Sequence, residues 1–151
     1  PQITIHGFDS FEGLPEDWNA DNPKGFFNLD GEIPPELLEI KNINVVKGWF
    51  DESLPKFIEE NEINKLIFLN IDSDLYSSAK TILDNLQPYF KGKCVIHFDE
   101  FCNYIEGQVG EYKAFREFVY DNRDNIIDIQ ILGKGMPMGY SSVSFLVTFK
   151  D

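Results

Sequence analysis

The stretch KLIFLNIDSDLYSS, residues 65–78, decides the fold. Its apolar run Leu66–Ile71 has the look of a strand buried on both faces, as in a parallel α/β sheet. Acids follow at once, Asp72 and Asp74. The run KCVIHFDEF, residues 93–101, repeats the arrangement: strand Lys93–Phe98, then Asp99 and Glu100. Ligands of open α/β sheets bind outside the carboxyl ends of the strands. Four carboxylates gathered there would repel one another unless a cation or a proton lay between them. Hard oxygen donors suit Mg²⁺ or Ca²⁺, so a divalent-cation site is the first functional expectation. Helix capping accounts for one acid at each strand end and less readily for four.

Outward from these two runs, the rest of the chain falls into alternating elements. Gln2–Phe8 reads as a first strand ending at Asp9. Ser10–Lys41 is a long segment rich in Pro, Gly, Asp and Asn, with a brief helix expected over Glu36–Ile40 after Pro34 and Pro35. Ile43–Lys47 is a second strand closed by Gly48, and Asp51 or Ser53 is positioned to cap a helix reaching about Asn61. Ala79, Ile82, Leu83 and Leu86 recur at helical spacing within Ser77–Tyr89, as do Tyr112, Phe115, Phe118 and Val119 within Glu111–Asn122. Ile126–Leu132 and Ser142–Phe149 alternate, and GKGMPMGY between them suits an antiparallel hairpin. The expectation is a single domain over residues 1–151, with a mixed sheet and helices on both faces.

Bulk composition narrows the partners. The 151 residues carry 13 Lys plus Arg against 26 Asp plus Glu, a formal net charge of −13. That balance disfavours nucleic-acid phosphates and anionic membranes. Two cysteines, Cys94 and Cys102, read as free thiols of a cytoplasmic protein, and too few soft ligands cluster for zinc. There is no Gly-rich phosphate loop and no G-x-S-x-G elbow. Asp9, at a strand end, suits the hydroxyls of a ribose or the capping of its own turn. Gly48, Trp49 and Phe50 suit a flat ring or core packing. His6 and His97 lie inside strands, where structural roles are commoner. His97 shares a face with Asp99.

The blocks GFDSFEGLPEDW (7–18), VVKGWFDESLPKF (45–57), NIDSDLYSSAKTIL (70–83), HFDEF (97–101) and GEYKAFREF (110–118) together resemble the macrocin O-methyltransferase (TylF-type) family. The resemblance implies a Rossmann-like class I methyltransferase sheet, mostly parallel with a C-terminal antiparallel hairpin. It also implies S-adenosylmethionine and Mg²⁺ as cofactors and a small-molecule hydroxyl, on a sugar or related compound, as methyl acceptor. Asp9 and Ser10 would then lie at the cofactor ribose, and Gly48, Trp49 and Phe50 at its adenine. Asp72, Asp99 and Glu100 would hold the metal, with Asp72 and Asp74 catalytic and Asp74 either close behind the metal or sharing the general-base role. Relatives often carry two aspartates where Asp99 and Glu100 stand. No E-x-G-x-x-G turn is present, so the first central strand of the family is expected to be missing between the strands at Ile3 and Leu66. Two other readings stay open. Asp72-Ser73-Asp74 is a D-x-D of the kind nucleotide-sugar glycosyltransferases use, and a cofactor-free scaffold persisting as a homo-oligomer needs no chemistry at all.

Overall fold

A computed structural model describes residues 3–102, 109–135 and 141–151. The chain divides into two compact units, Pro1–Asn61 and Glu62–Asp151.

In the first unit, β1 (Ile5–Asp9) pairs in parallel with β2 (Ile43–Lys47), Asp9 opposite Lys47. Both strands therefore end at the same edge. Between them, α1 (Pro35–Leu38) is the expected brief helix, with Pro at its first turn. The long segment before it is tied to itself. The Leu29 and Gly31 amides both donate to the Phe11 carbonyl (3.1 and 2.8 Å), the Leu14 amide donates to the Phe26 carbonyl and the Gly25 amide to the Leu14 carbonyl. Gly13 makes this possible: at φ +76° a Cβ would sit 2.3 Å from the Phe26 carbonyl oxygen. Helix α2 (Phe50–Glu60) follows β2. Its N-cap is Trp49 with no side-chain cap, so neither Asp51 nor Ser53 caps it; Asp51 and Glu52 sit in the first turn, beside the positive end of the helix dipole.

In the second unit the sheet order is β3-β4-β6-β5. Strand β3 (Phe68–Ile71) runs parallel to β4 (Lys93–Cys102), while β6 (Ser141–Phe149) is antiparallel to both β4 and β5 (Ile126–Lys134). The mixed α/β sheet and its terminal hairpin are as expected; Met136–Tyr140, within the connecting GKGMPMGY, lie outside the described residues. Helix α3 (Tyr76–Leu86) begins one residue before Ser77 and gives way to a 3₁₀ turn at Gln87–Tyr89, where Pro88 cannot continue an α-helix. Helix α4 (Glu111–Asp121) matches its expected span.

The core of this unit is an aromatic seam between α4 and one sheet face. Phe98, fully buried, contacts the rings of Phe101, Phe115 and Phe145 at centroid distances of 5.2, 5.0 and 6.3 Å. Phe90 joins Phe118 and Phe149 at 5.1 Å each. On the other face Val95, His97, Leu146 and Thr148 are only half-buried. His97 Nδ1 lies 2.8 Å from Ser144 Oγ, so this histidine is engaged across the β4–β6 pair.

Two strand readings need correction. β3 is not buried on both faces: it is a sheet edge among the described residues, and Ile67 and Phe68 are 60% and 57% exposed. β4 does not stop at Phe98 but runs to Cys102. Among the described strands β1 pairs with β2 alone and β3 with β4 alone.

Candidate functional site

The register of β3 and β4 brings the acids together. Ile71 pairs with Phe98, so Asp72 and Asp99 are the next residues of two neighbouring parallel strands. Successive residues of a regular strand face opposite sides, which would send Glu100 away from Asp99. The β4–β6 ladder is irregular at this point: Phe98 pairs with Val143 and Cys102 with Ser141, leaving Asp99, Glu100 and Phe101 opposite a single residue. Such a bulge bends the strand and re-aims side chains. One ligand oxygen from each of Asp72, Asp99 and Glu100 then lies within 4.8 Å of the others.

Asp74 joins the group through its backbone. The Leu75 amide donates to the Ser73 carbonyl at 2.5 Å, closing a three-residue turn around Asp74, whose φ is +61°. Strained positions of this kind cluster at functional sites. Burial, then the Asp72 charge, pushes the Asp74 carboxyl up to about 6, against a hydrogen bond with Glu100 that holds it down. Glu100 is pushed up to about 9, first by burial and then by Asp74, Glu111, Asp99 and Asp72. Its Oε2 is buried with no hydrogen-bond partner. Three convergent hard oxygens, with an orphaned buried Glu100 oxygen in the same cluster, fit a Mg²⁺-type cation.

Glu111 completes the cluster and was not singled out by sequence. It opens α4, is 0% exposed, and accepts the Ser73 amide on Oε1 at 3.0 Å. Burial pushes it up to about 8, with the Ser73 and Glu100 backbone opposing and Asp74 and Asp72 adding to the rise. From sequence it is indistinguishable from an ordinary first-turn acid.

In the first unit the other expected residues share the carboxyl edge of β1 and β2. Asp9 is exposed, and its Oδ1 accepts the Phe11 amide at 2.5 Å, while Ser10 Oγ accepts that of Glu12 at 3.1 Å. Capping occupies one oxygen of Asp9; a carboxylate offers about four acceptor sites, so capping and ribose binding are compatible. The Gly48 amide donates to the Asp9 carbonyl at 2.9 Å, stitching the two strand ends. Gly48 itself has φ +141°, and a Cβ there would meet Ser53 Cβ at 3.3 Å. Trp49 and Phe50 are half-buried.

Residues 2–131 match the profile of the family described as Macrocin-O-methyltransferase (TylF). The chain belongs to this family. Among solved structures it is similar to CalS11, a calicheamicin methyltransferase, with a TM-score of 0.71 at 24% identity, covering 98% of this chain and 61% of that one. The O-methyltransferase NovP gives 0.63 at 19% identity, covering 98% of this chain and 60% of that one. An O-methyltransferase from Bacillus cereus, in complex with SAH, gives 0.51 at 18% identity, with coverage of 71% and 50%. These likenesses establish a Rossmann-like methyltransferase fold, of which this TylF-family chain spans about 60% of the length of CalS11 and NovP. A search of proteins of curated function found no match. No helix among the described residues is long and apolar enough to cross a membrane.

Proposed function

We propose that this TylF-family chain, residues 1–151 read as part of one catalytic domain, serves S-adenosylmethionine-dependent O-methyl transfer to a hydroxyl of a sugar-bearing small molecule, assisted by Mg²⁺. The observation that carries the reading is the convergence of Asp72, Asp99 and Glu100 oxygens within 4.8 Å, beside a strained Asp74. Bound by those three side chains, the cation would polarise an acceptor hydroxyl and fix its orientation. S-adenosylmethionine would supply an electrophilic methyl group on its sulfonium.

The chain's own residues do the rest. Asp74 takes the hydroxyl proton on its carboxylate: raised to about 6, it is mostly ionised at neutral pH yet more basic than an ordinary aspartate. Asp9 accepts hydrogen bonds from the cofactor ribose, with Ser10 beside it. The Trp49 and Phe50 rings border the adenine, and Gly48 leaves room for it. Much of the rate comes from holding oxygen and methyl in line. The free thiols of Cys94 and Cys102 suit a reducing, cytoplasmic setting. Family membership favours methyl transfer over the glycosyl transfer that the D-x-D at Asp72–Asp74 would also allow.

Calorimetric titration of the protein with S-adenosylhomocysteine and with a uridine diphosphate sugar, each with Mg²⁺, tests the choice; binding of the second alone would reverse it. Asp72→Ala and Asp99→Ala are expected to abolish methyl transfer while leaving S-adenosylhomocysteine binding measurable. Full turnover in both variants would remove the metal from the reaction.

A further inference from the structure

Among the described residues Glu111 is the only Asp, Glu, Lys or Arg side chain that is buried, at 0% exposure. An acid in the first turn of a helix ordinarily gains from the dipole while facing water. This one gives up hydration, which is costly unless its oxygens are engaged. Oε1 is engaged, accepting the amide of Ser73, the residue between Asp72 and Asp74. Oε2 is sealed from solvent and makes no hydrogen bond. The backbone of Glu100 and the carboxyls of Asp72 and Asp74 are all close enough to act on its charge. A single side chain from α4 thus reaches both acidic strand ends.

We propose that Glu111 is a positioning residue for the cation site: by accepting the Ser73 amide it anchors the strained 72–74 turn to α4 and so presents Asp72 toward Asp99 and Glu100. The inference rests on the cation reading given above. Nothing else among the described contacts ties the Ser73 amide, and a turn with positive φ at Asp74 relaxes unless its surroundings hold it. Partners behind metal ligands of this kind commonly change metal affinity by about 10- to 100-fold when lost.

Mn²⁺, a spin-active substitute for Mg²⁺, is titrated into the protein by calorimetry and electron paramagnetic resonance. The parent is compared with Glu111→Gln and Glu111→Leu, and hydrogen exchange of the Ser73 amide is followed by NMR. Gln retains a carbonyl oxygen for Ser73, so its Kd is expected within about threefold of the parent. Leu has no acceptor, so Kd rises about tenfold or more and the Ser73 amide loses protection. If the Leu variant does not fold by circular dichroism, Glu111→Asp replaces it, since the shorter side chain withdraws from Ser73 and the same loss is expected. Parent-like Mn²⁺ binding in the folded Leu or Asp variant overturns the anchoring role alone. An equal loss in Gln and Leu overturns it in favour of a direct charge effect. A parent that binds no Mn²⁺ refutes the cation reading and this inference with it.

Discussion

Asp74 holds its backbone at φ +61°, in the left-handed region that glycine occupies without strain and aspartate tolerates at some cost. Its carboxyl is also half-buried among like charges. Both effects oppose folding, so Asp74→Gly is expected to raise the melting temperature by an amount equivalent to about 1 kcal/mol while eliminating methyl transfer. Differential scanning calorimetry beside a methyl-transfer assay checks the pair; a destabilised Gly variant would contradict the strain argument. The acidity at positions 72, 74, 99 and 100 was legible in the sequence because each pair of acids stands at the end of an apolar run. The turn around Asp74 was not, since an aspartate at positive φ leaves no trace in residue order. Glu111 escaped for the same reason: its distance from Asp72 along the chain hides a contact made only when α4 folds back on the sheet.

At the scale of elements, β4 is where sequence and structure part. The pattern His97–Phe101 suggests a strand ending at Phe98, yet pairing resumes at Cys102 after an irregular stretch. Single-chain periodicity has no way to register a bulge, because the irregularity belongs to the β4–β6 pair. The helices were more legible, since their apolar spacing reports the face they bury, whereas the cap of α2 was misplaced because an aromatic, Trp49, occupies a position polar residues usually fill. Two substitutions test elements. Gly48→Ala forces φ +141° on a residue with a Cβ and crowds Ser53 at 3.3 Å, so it is expected to destabilise the β2–α2 junction by about 1 kcal/mol and weaken S-adenosylhomocysteine binding. Phe98→Ala empties the centre of the aromatic seam and is expected to cost about 3–5 kcal/mol in denaturant unfolding. A loss below about 1 kcal/mol would mean the seam closes over the cavity.

For the whole molecule the decisive quantity is charge. Asp74, Glu100 and Glu111 rise from 3.8, 4.5 and 4.5 to about 6, 9 and 8 in the folded protein. A carboxyl whose folded pKa is raised binds its proton more tightly in the native state. Its contribution to stability is complete below its unfolded pKa and is lost as pH climbs through the folded value. Without divalent cation, the melting temperature is therefore expected to fall from pH 5.5 to pH 8.5, helped by a net charge of −13. Added Mn²⁺ should restore more at pH 8.5 than at pH 5.5, because at the lower pH protons already occupy the acids. A melting temperature that climbs across this range would contradict the burial of these groups.

The division at Asn61 also sorts the chromophores. Both indoles, Trp18 and Trp49, belong to residues 1–61, and all six phenols, from Tyr76 onward, to residues 62–151. Each half of the molecule thus carries its own optical label without any substitution. Selectively excited indole emission follows the melting of one half, and phenol absorbance that of the other. Superimposable curves would mean the halves unfold as one cooperative body, and separated curves would give each half its own transition.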